Sequence, residues 1–205
     1  MGTNFKLYYT PTSCGAANFL AAQIGGLTFD SETVDLATHK TKSGVDFYSI
    51  NPKGNVPTVA FSDGTILNEN VATLTYLADA GNAGLSPKEG TPERYSYLND
   101  MGFVASELHP AFGPLFNPQL TGEARAAAVA NVLRRVDKLV TLLEGGKRSF
   151  LNGKSLSAPD LYAYIVLSWS VPLGITLPPA AQAYCDGLKG NEAIQKAYAT
   201  MTASQ

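Results

Sequence analysis

Lys6-Leu7-Tyr8-Tyr9-Thr10-Pro11-Thr12-Ser13-Cys14 is the stretch of sequence that decides the fold. An apolar and aromatic run ends there in a proline-containing turn, and the segment from Gly15 to Ile24 has the composition of a helix. Cys14 therefore lies where a predicted strand passes into the N-terminus of a predicted helix. The first turn of a helix has unpaired N–H groups and a partial positive charge, and both favour the reactive thiolate over the thiol.

The overall composition is that of a folded chain of one or two domains without a strong charge bias. The 205 residues are 45% hydrophobic and 16% charged, and the formal net charge is −2. Because no basic run is present, the sequence argues against nucleic acid or an anionic membrane as the main partner. The apolar runs are also too short for a transmembrane helix, so we expect neither nucleic acid nor a membrane among the partners.

The cysteine content favours a reducing compartment. Cys14 and Cys185 are the two cysteines of the chain, and they are far apart in sequence. Two such residues supply no disulfide framework, zinc cluster or Cys-x-x-Cys dithiol, so we expect no metal site. The first residues, 1–4, do not have the charged and apolar pattern of a secretory leader. Together these features predict a cytoplasmic protein.

Residues 1–80 have the pattern of an α/β domain. Beyond the opening strand and helix, the sequence predicts strands over 28–36, 58–61 and 65–67. Asp63-Gly64, between the last two strands, is typical of a hairpin turn. A short helical turn precedes the hairpin and a longer helix follows it. The order βαβαββα predicts a thioredoxin-like domain with a four-stranded sheet.

A linker over 81–90 is predicted to join this domain to an all-α domain over 91–205. Thr91-Pro92 has the form of a helix start, and Pro110 is expected to kink or end that helix. Ser157-Ala158-Pro159-Asp160 has the form of a capping box. The helix after it is apolar on almost every side, so we expect it to be buried at the centre of the helical domain.

Two features of the first domain are candidates for chemistry, and each also has a structural interpretation. Cys14 is placed to form a mixed disulfide with a small thiol or to hydrogen-bond a bound thiolate, but free cysteines are commonly inert buried residues. Val56 precedes Pro57 and can offer its backbone to an extended, peptide-like ligand, an arrangement that works best with a cis peptide bond. The alternative is that Pro57 is an ordinary loop proline.

Two further candidates lie at helix ends. Glu69-Asn70 stands at a predicted helix start, where N–H groups attract a carboxylate, Asn70 can donate from its amide and Glu69 can accept from an ammonium group. The alternative is plain N-capping by Asn68 or Asn70. His109 lies near the predicted kink, where it can donate to a thiolate or fill a structural role.

Taken together, these residues resemble the bacterial beta class of the glutathione S-transferases. Each motif alone is weak, but their order and spacing match over essentially the whole chain. The motifs that carry the resemblance are 6–14 (KLYYTPTSC), 51–57 (NPKGNVP), 67–72 (LNENVA), 76–79 (YLAD), 105–109 (ASELH) and the capping box at 157–160.

The resemblance implies roles around the sulfur of glutathione. Cys14 matches the active-site cysteine of the class, which contacts or bonds that sulfur. His109 matches a histidine that helps to hold the sulfur. Tyr9 matches a tyrosine close to the thiol. The resemblance also implies a homodimer with one site per subunit and glutathione as the substrate.

Further residues match the part of the family site that binds the rest of the tripeptide. Val56 and Pro57 correspond to the backbone clamp and its cis-proline, and Glu69 with Asn70 to the γ-glutamyl site. His39 stands where the class has a lysine that reaches the glycine carboxylate. We expect a small hydrophobic electrophile to bind in an apolar pocket formed by Phe112, Leu115, Phe116 and Trp169.

The chain departs from the class at several positions of the expected site. Gly15 replaces a serine after the cysteine, and Asn70 stands where serine, threonine or glycine is usual. Gly102 aligns with an asparagine lent across the dimer, and Pro110 replaces a lysine. We therefore expect conjugation of glutathione to small hydrophobic electrophiles, glutathione-dependent thiol transfer through Cys14, or both. The alternatives are a glutathione-dependent lyase, isomerase or ether-cleaving enzyme, and a non-catalytic adaptor protein.

Overall fold

The computed structural model describes residues 5–203, so the prediction made for residues 1–4 lies outside it. The described chain divides into two compact units. One runs through Ser86 and also includes the last helix, Glu192–Ala203, and the other is Pro87–Asn191. None of the helices in these described residues is long and apolar enough to cross a membrane.

The first unit is built on a mixed sheet, as the sequence predicts. Within residues 5–203 the sheet has five strands in the order β3-β2-β1-β4-β5. Strands β1 and β2 are parallel, and the β2–β3, β1–β4 and β4–β5 pairs are antiparallel. The elements of this unit are β1 (Phe5–Tyr9), α1 (Gly15–Ile24), β2 (Asp30–Asp35), β3 (Lys40–Thr41), a 3-10 turn (Phe47–Ser49), β4 (Thr58–Phe61), β5 (Ile66–Leu67) and α2 (Asn70–Ala80).

The sheet has one strand more than the four predicted. The fifth strand, β3, pairs with the end of β2, with Val34 opposite Thr41 and Asp35 opposite Lys40. Two residues are too few to leave an alternating pattern, so this edge strand could not be recognised in the sequence. The hairpin predicted around Asp63-Gly64 is confirmed, since β4 and β5 pair across it.

Close backbone contact joins the ends of α1 and α2. A Cβ atom added to Gly81 would lie 2.7 Å from the Cα atom of Gly25, and Asn82 N–H donates to the Gly25 carbonyl at 3.0 Å. Only glycine permits this approach at both positions. The contact fixes the two helices on the sheet, and Cys14 and Asn70 lie at the opposite, N-terminal ends of those helices.

The second unit is helical. The helix predicted after the capping box, α6, is almost entirely buried, and both hydrogen bonds of the box are present. The elements are α3 (Pro92–Phe103), a π-helical turn (Val104–Leu108), α4 (His109–Phe112), a 3-10 turn (Gly113–Phe116), α5 (Gly122–Leu142), a 3-10 turn (Glu144–Gly146), α6 (Ala158–Ser168) and α7 (Pro179–Lys189).

Two features of the helical region go beyond the prediction. Of the two outcomes expected at Pro110, a kink or a helix end, the helix end does not occur. A π-helical turn directly before Pro110 absorbs the missing hydrogen bond, and the chain continues helically as α4. The last helix, α8 (Glu192–Ala203), packs on α1 and belongs to the first unit, not to the helical domain predicted over 91–205. Its apolar stripe predicts a buried face but does not specify the partner.

Candidate functional site

Cys14 lies at the junction between β1 and α1, as the sequence predicts. It occupies the N-cap position of α1, and its side chain is only 8% exposed. The Sγ–H group is 3.8 Å from the carbonyl oxygen of Val56, within the range of a weak sulfur hydrogen bond. The structure therefore brings together the thiol and the backbone segment that the sequence selects as a ligand clamp.

The protonation state of Cys14 differs from the prediction made from its helix position. Burial raises the pKa of the thiol to about 11, although hydrogen bonds from the backbone N–H groups of Cys14 and Gly15 lower it in part. Desolvation disfavours the charged thiolate more than the helix N-terminus favours it. Cys14 is therefore a protonated thiol at neutral pH in this structure, able to donate a hydrogen bond.

This protonation state predicts a steep pH dependence of alkylation. In a Cys185→Ala background, the rate at which iodoacetamide modifies Cys14 should rise about tenfold per pH unit from pH 7 to 10, because only the thiolate reacts. The matched control is the same chain unfolded in urea, whose rate should level off near the ordinary thiol pKa of 9.0. A folded chain whose rate levels off below pH 8 would contradict the raised pKa.

A polar network supports the loop that leads to Val56 and Pro57. The peptide bond between these two residues is cis, and strand β4 begins just after them. The Asn51 amide group donates to the Thr58 hydroxyl at 3.0 Å, and its oxygen accepts from the Asn68 amide group at 2.8 Å. The same network therefore connects the clamp loop to the start of α2.

The start of α2 is not capped by a side chain. Glu69 occupies the N-cap position without making a capping hydrogen bond, and Asn68 is engaged with Asn51. The alternative interpretation of this motif, plain N-capping by Asn68 or Asn70, is therefore wrong. Glu69 instead pairs with Lys53 at 2.8 Å, and both side chains are exposed. Exposed pairs contribute little, so a ligand ammonium group can replace Lys53.

Asn18 is a polar residue of the site that the sequence analysis missed. It is fully buried in α1, and its amide nitrogen donates to Asn70 Oδ1 at 2.6 Å. The amide nitrogen of Asn70 has no hydrogen-bond partner within residues 5–203. An asparagine among the small and apolar residues of the first two turns of α1 was the available signal, because a buried amide requires a partner.

His39 and Tyr9 have different surroundings from those expected. His39 adopts a left-handed backbone conformation with φ of 51°. Its ring packs against that of Tyr48, with 4.6 Å between ring centroids and the two planes tilted by 31°. Tyr9 is 1% exposed and packs on Phe19 at 5.0 Å. A ring that is so fully buried cannot reach a ligand without moving, so the structure favours a packing role for Tyr9.

His109, in the helical unit, is held by two aromatic side chains. Its Nδ1 atom is 2.6 Å from the hydroxyl oxygen of Tyr162, and its ring lies 4.9 Å from that of Trp169. Burial lowers the pKa of the imidazole, so the ring is neutral at pH 7. Tyr162, which lies in the apolar helix α6, was not predicted to be a site residue.

The residues predicted to bind an electrophile fall into two groups. Phe112 and Phe116 pack edge-on against Trp169 at 5.9 and 5.2 Å. Phe116 is 53% exposed, whereas Phe112, Leu115 and Trp169 are buried. Phe116 is therefore the member of this set most open to a ligand, and the other three form the packed layer beneath it.

Together, the fold and the geometry around Cys14 define a class of protein. In this class a thioredoxin-like unit places a thiol beside a backbone segment that can pair with a peptide-like ligand, and a helical unit follows in the sequence. Comparison with known proteins makes this more specific. The family model "Glutathione S-transferase, N-terminal domain" matches residues 14–80. Glutathione S-transferase GstA of Escherichia coli O157:H7 is 30% identical over 173 residues, which are 84% of this chain and 85% of that protein.

Solved structures extend the similarity over almost the whole chain. A sphingomonad glutathione S-transferase complexed with glutathione is 38% identical, with a TM-score of 0.86, and the match covers 94% of this chain and 96% of that one. A bacterial beta-class glutathione S-transferase of Sphingomonas chungbukensis is 36% identical, with the same TM-score and coverage. The chain belongs to the glutathione S-transferase family, and the predicted resemblance to the beta class is confirmed.

Proposed function

We propose that this chain is a glutathione transferase that conjugates glutathione to small hydrophobic electrophiles. The observation that carries the proposal is the short distance between the Cys14 thiol and the Val56 carbonyl, in a chain of this family. A bound glutathione thiolate is stabilised by a hydrogen-bond donor, and an extended tripeptide pairs with a backbone segment. Cys14 and Val56 supply these two properties at one place.

The start of α2 is proposed to bind the γ-glutamyl end of glutathione. The free N–H groups at a helix N-terminus attract a carboxylate, and no side chain of this motif caps them. The amide nitrogen of Asn70 is a further donor, and Glu69 can accept from the ammonium group in place of Lys53. His39 is proposed to lie near the glycine end, where its imidazole stands in place of a lysine.

The thiol form of Cys14 favours conjugation over thiol transfer. A protonated Cys14 can exchange its hydrogen bond to the Val56 carbonyl for one to the thiolate of glutathione. The glutathione thiolate then attacks the electrophile. Thiol transfer is the second candidate function, because the thiolate of a free Cys14 can attack a disulfide substrate, forming a mixed disulfide and releasing one thiol, after which glutathione attacks the mixed disulfide and frees Cys14. The raised pKa of Cys14 makes that route slower at neutral pH.

The remaining assignments follow the family resemblance. We propose that His109 contacts the glutathione sulfur and that Phe116, on its packed layer of Phe112, Leu115 and Trp169, contacts the electrophile. A homodimer is proposed on the same basis, and a cytoplasmic location is proposed from the cysteine content. The lyase, isomerase or ether-cleaving alternative is retained because the substitutions at Gly15 and Asn70 alter the expected site.

The proposed function can be tested by retention on immobilised glutathione, together with an assay of conjugation to 1-chloro-2,4-dinitrobenzene. We expect retention and measurable conjugation. Glu69→Gln should weaken glutathione binding about tenfold, the loss of one charge-assisted hydrogen bond, whereas Glu89→Gln, an exposed residue outside the site, should leave it unchanged. Retention without conjugation to a panel of electrophiles would favour the alternative chemistries, and a chain that flows through would contradict the proposal.

A further inference from the structure

The first turn of α2 has backbone donors without partners. The helix begins at Asn70, and the first backbone hydrogen bond at its start runs from Thr73 N–H to the Glu69 carbonyl oxygen at 2.9 Å. The N–H groups of Asn70, Val71 and Ala72 make no hydrogen bond within residues 5–203, and no side chain caps them. Such groups are normally satisfied by a capping side chain, by water or by a ligand.

Both asparagines that could cap α2 are held by other parts of the first unit. Asn68 and Asn70 stand on either side of Glu69, the N-cap residue, and asparagine is among the preferred residues at that position. A shift of the helix start by one residue would make either of them the cap. However, Asn68 donates to Asn51 in the clamp loop at 2.8 Å, and Asn70 Oδ1 accepts from Asn18 Nδ2 in α1 at 2.6 Å.

The packing of α1 on α2 does not account for an asparagine at position 18. Asn18 is fully buried, and its Oδ1 atom has no hydrogen-bond partner within residues 5–203, nor has the buried amide nitrogen of Asn70. Unpaired polar atoms inside a protein are unfavourable, so an apolar side chain would fill the same space without this cost. The two helices are already fixed to each other by the backbone contact between Gly25 and Gly81. The contact from Asn18 to Asn70 therefore has another role.

We propose that Asn18 is a positioning residue that holds the Asn70 side chain away from the first turn of α2, so that the N–H groups there stay available to the α-carboxylate of a γ-glutamyl ligand. The position of Asn70 follows from contacts within the first unit, whereas the identity of the carboxylate rests on the proposed function. An Asn70 side chain free to cap α2 would compete with that carboxylate for the same donors. The chain thus loses the stability of a capped helix and keeps an open anion site.

Amide hydrogen exchange on the full chain without ligand tests the position of Asn70. The N–H groups of Val71 and Ala72 should exchange rapidly in the wild-type chain, and slow exchange of both would overturn the proposal without any substitution. Asn18→Leu releases Asn70 to cap α2, so at least one of these N–H groups should exchange about fivefold more slowly. Unchanged or faster exchange in Asn18→Leu would show a purely structural Asn18 and would also overturn the proposal. Gln23→Leu, at the half-buried other end of α1, is the matched control and should change neither rate.

Calorimetric titration tests the use of the open donors. Asn18→Leu should weaken glutathione binding about fivefold, because the ligand carboxylate must first displace the new cap. The analogue 4-aminobutyryl-Cys-Gly, which is glutathione without the α-carboxylate of its γ-glutamyl end, should bind the wild-type and Asn18→Leu chains equally. A fivefold loss for both ligands, or for neither, would overturn the proposal. If the wild-type chain does not bind glutathione, the proposed function fails, while the exchange measurement still decides the position of Asn70.

Discussion

Replacing Asp160 by alanine is expected to lower the free energy of unfolding by about 3–5 kcal/mol, the range for breaking a buried charged network. The Asp160 carboxylate is fully buried and accepts four hydrogen bonds. Its oxygens accept from Leu151 N–H at 2.8 Å, the Tyr184 hydroxyl at 2.7 Å, Ser157 N–H at 2.9 Å and the Ser157 hydroxyl at 2.5 Å. Alanine would leave all four donors without this partner.

The matched control for Asp160 is Asp186→Ala. Asp186 is exposed on α7, and its carboxylate accepts from the side chain of Gln182 at 3.0 Å. Its loss should change the free energy of unfolding by less than about 0.5 kcal/mol. Urea denaturation followed by circular dichroism measures both changes. If Asp160→Ala does not fold, Asp160→Asn keeps an acceptor and allows the measurement. A change below about 1 kcal/mol for Asp160→Ala would show that the network is not essential.

Replacing Cys14 by alanine is expected to have the largest effect on activity. Glutathione-dependent reduction of a small disulfide should fall more than about 100-fold, because the covalent route loses its nucleophile. Conjugation should fall about tenfold, the effect of losing one hydrogen bond to the glutathione thiolate. The two assays therefore separate the covalent role of Cys14 from its hydrogen-bonding role.

Cys185→Ala is the control for this substitution. Cys185 is the other cysteine, it is buried in α7, and burial raises the pKa of its thiol to about 12. The Cys185→Ala substitution should leave both activities unchanged. After the wild-type chain is incubated with oxidised glutathione, whose disulfide Cys14 can attack with release of one glutathione thiol, mass spectrometry should find glutathione attached to Cys14 alone. Full disulfide-reductase activity in the Cys14→Ala chain would show that the mixed-disulfide role is wrong.

The features that sequence predicts well are those fixed by neighbouring residues. The Asp63-Gly64 hairpin and the capping box at Ser157 and Asp160 each depend on a few consecutive side chains, and both are present. The position of Cys14 at the start of α1 follows from the same local pattern. A short sequence segment therefore determines the strand-to-helix junction that the proposed chemistry uses.

The features that sequence misses depend on distant contacts. The apolar stripe of α8 is visible in the sequence, but the sequence does not indicate that this stripe packs on α1. Asn18 meets Asn70, 52 positions away, and Tyr162 meets His109, 53 positions away, so no local pattern links either pair. The direction of the pKa shift of Cys14 was predicted wrongly. The position at the helix start is a local feature, whereas the burial that raises the pKa depends on the whole unit.

Calorimetric titration of the wild-type chain with glutathione tests the central proposal most directly. We predict saturable heat with one glutathione per chain and a dissociation constant within about 1 μM–1 mM, the usual range for enzyme substrates. Glu69→Gln should weaken that binding, while Glu89→Gln should not. A correctly folded chain that gives no heat at about 10 mM glutathione, ten times that upper limit, would contradict the account.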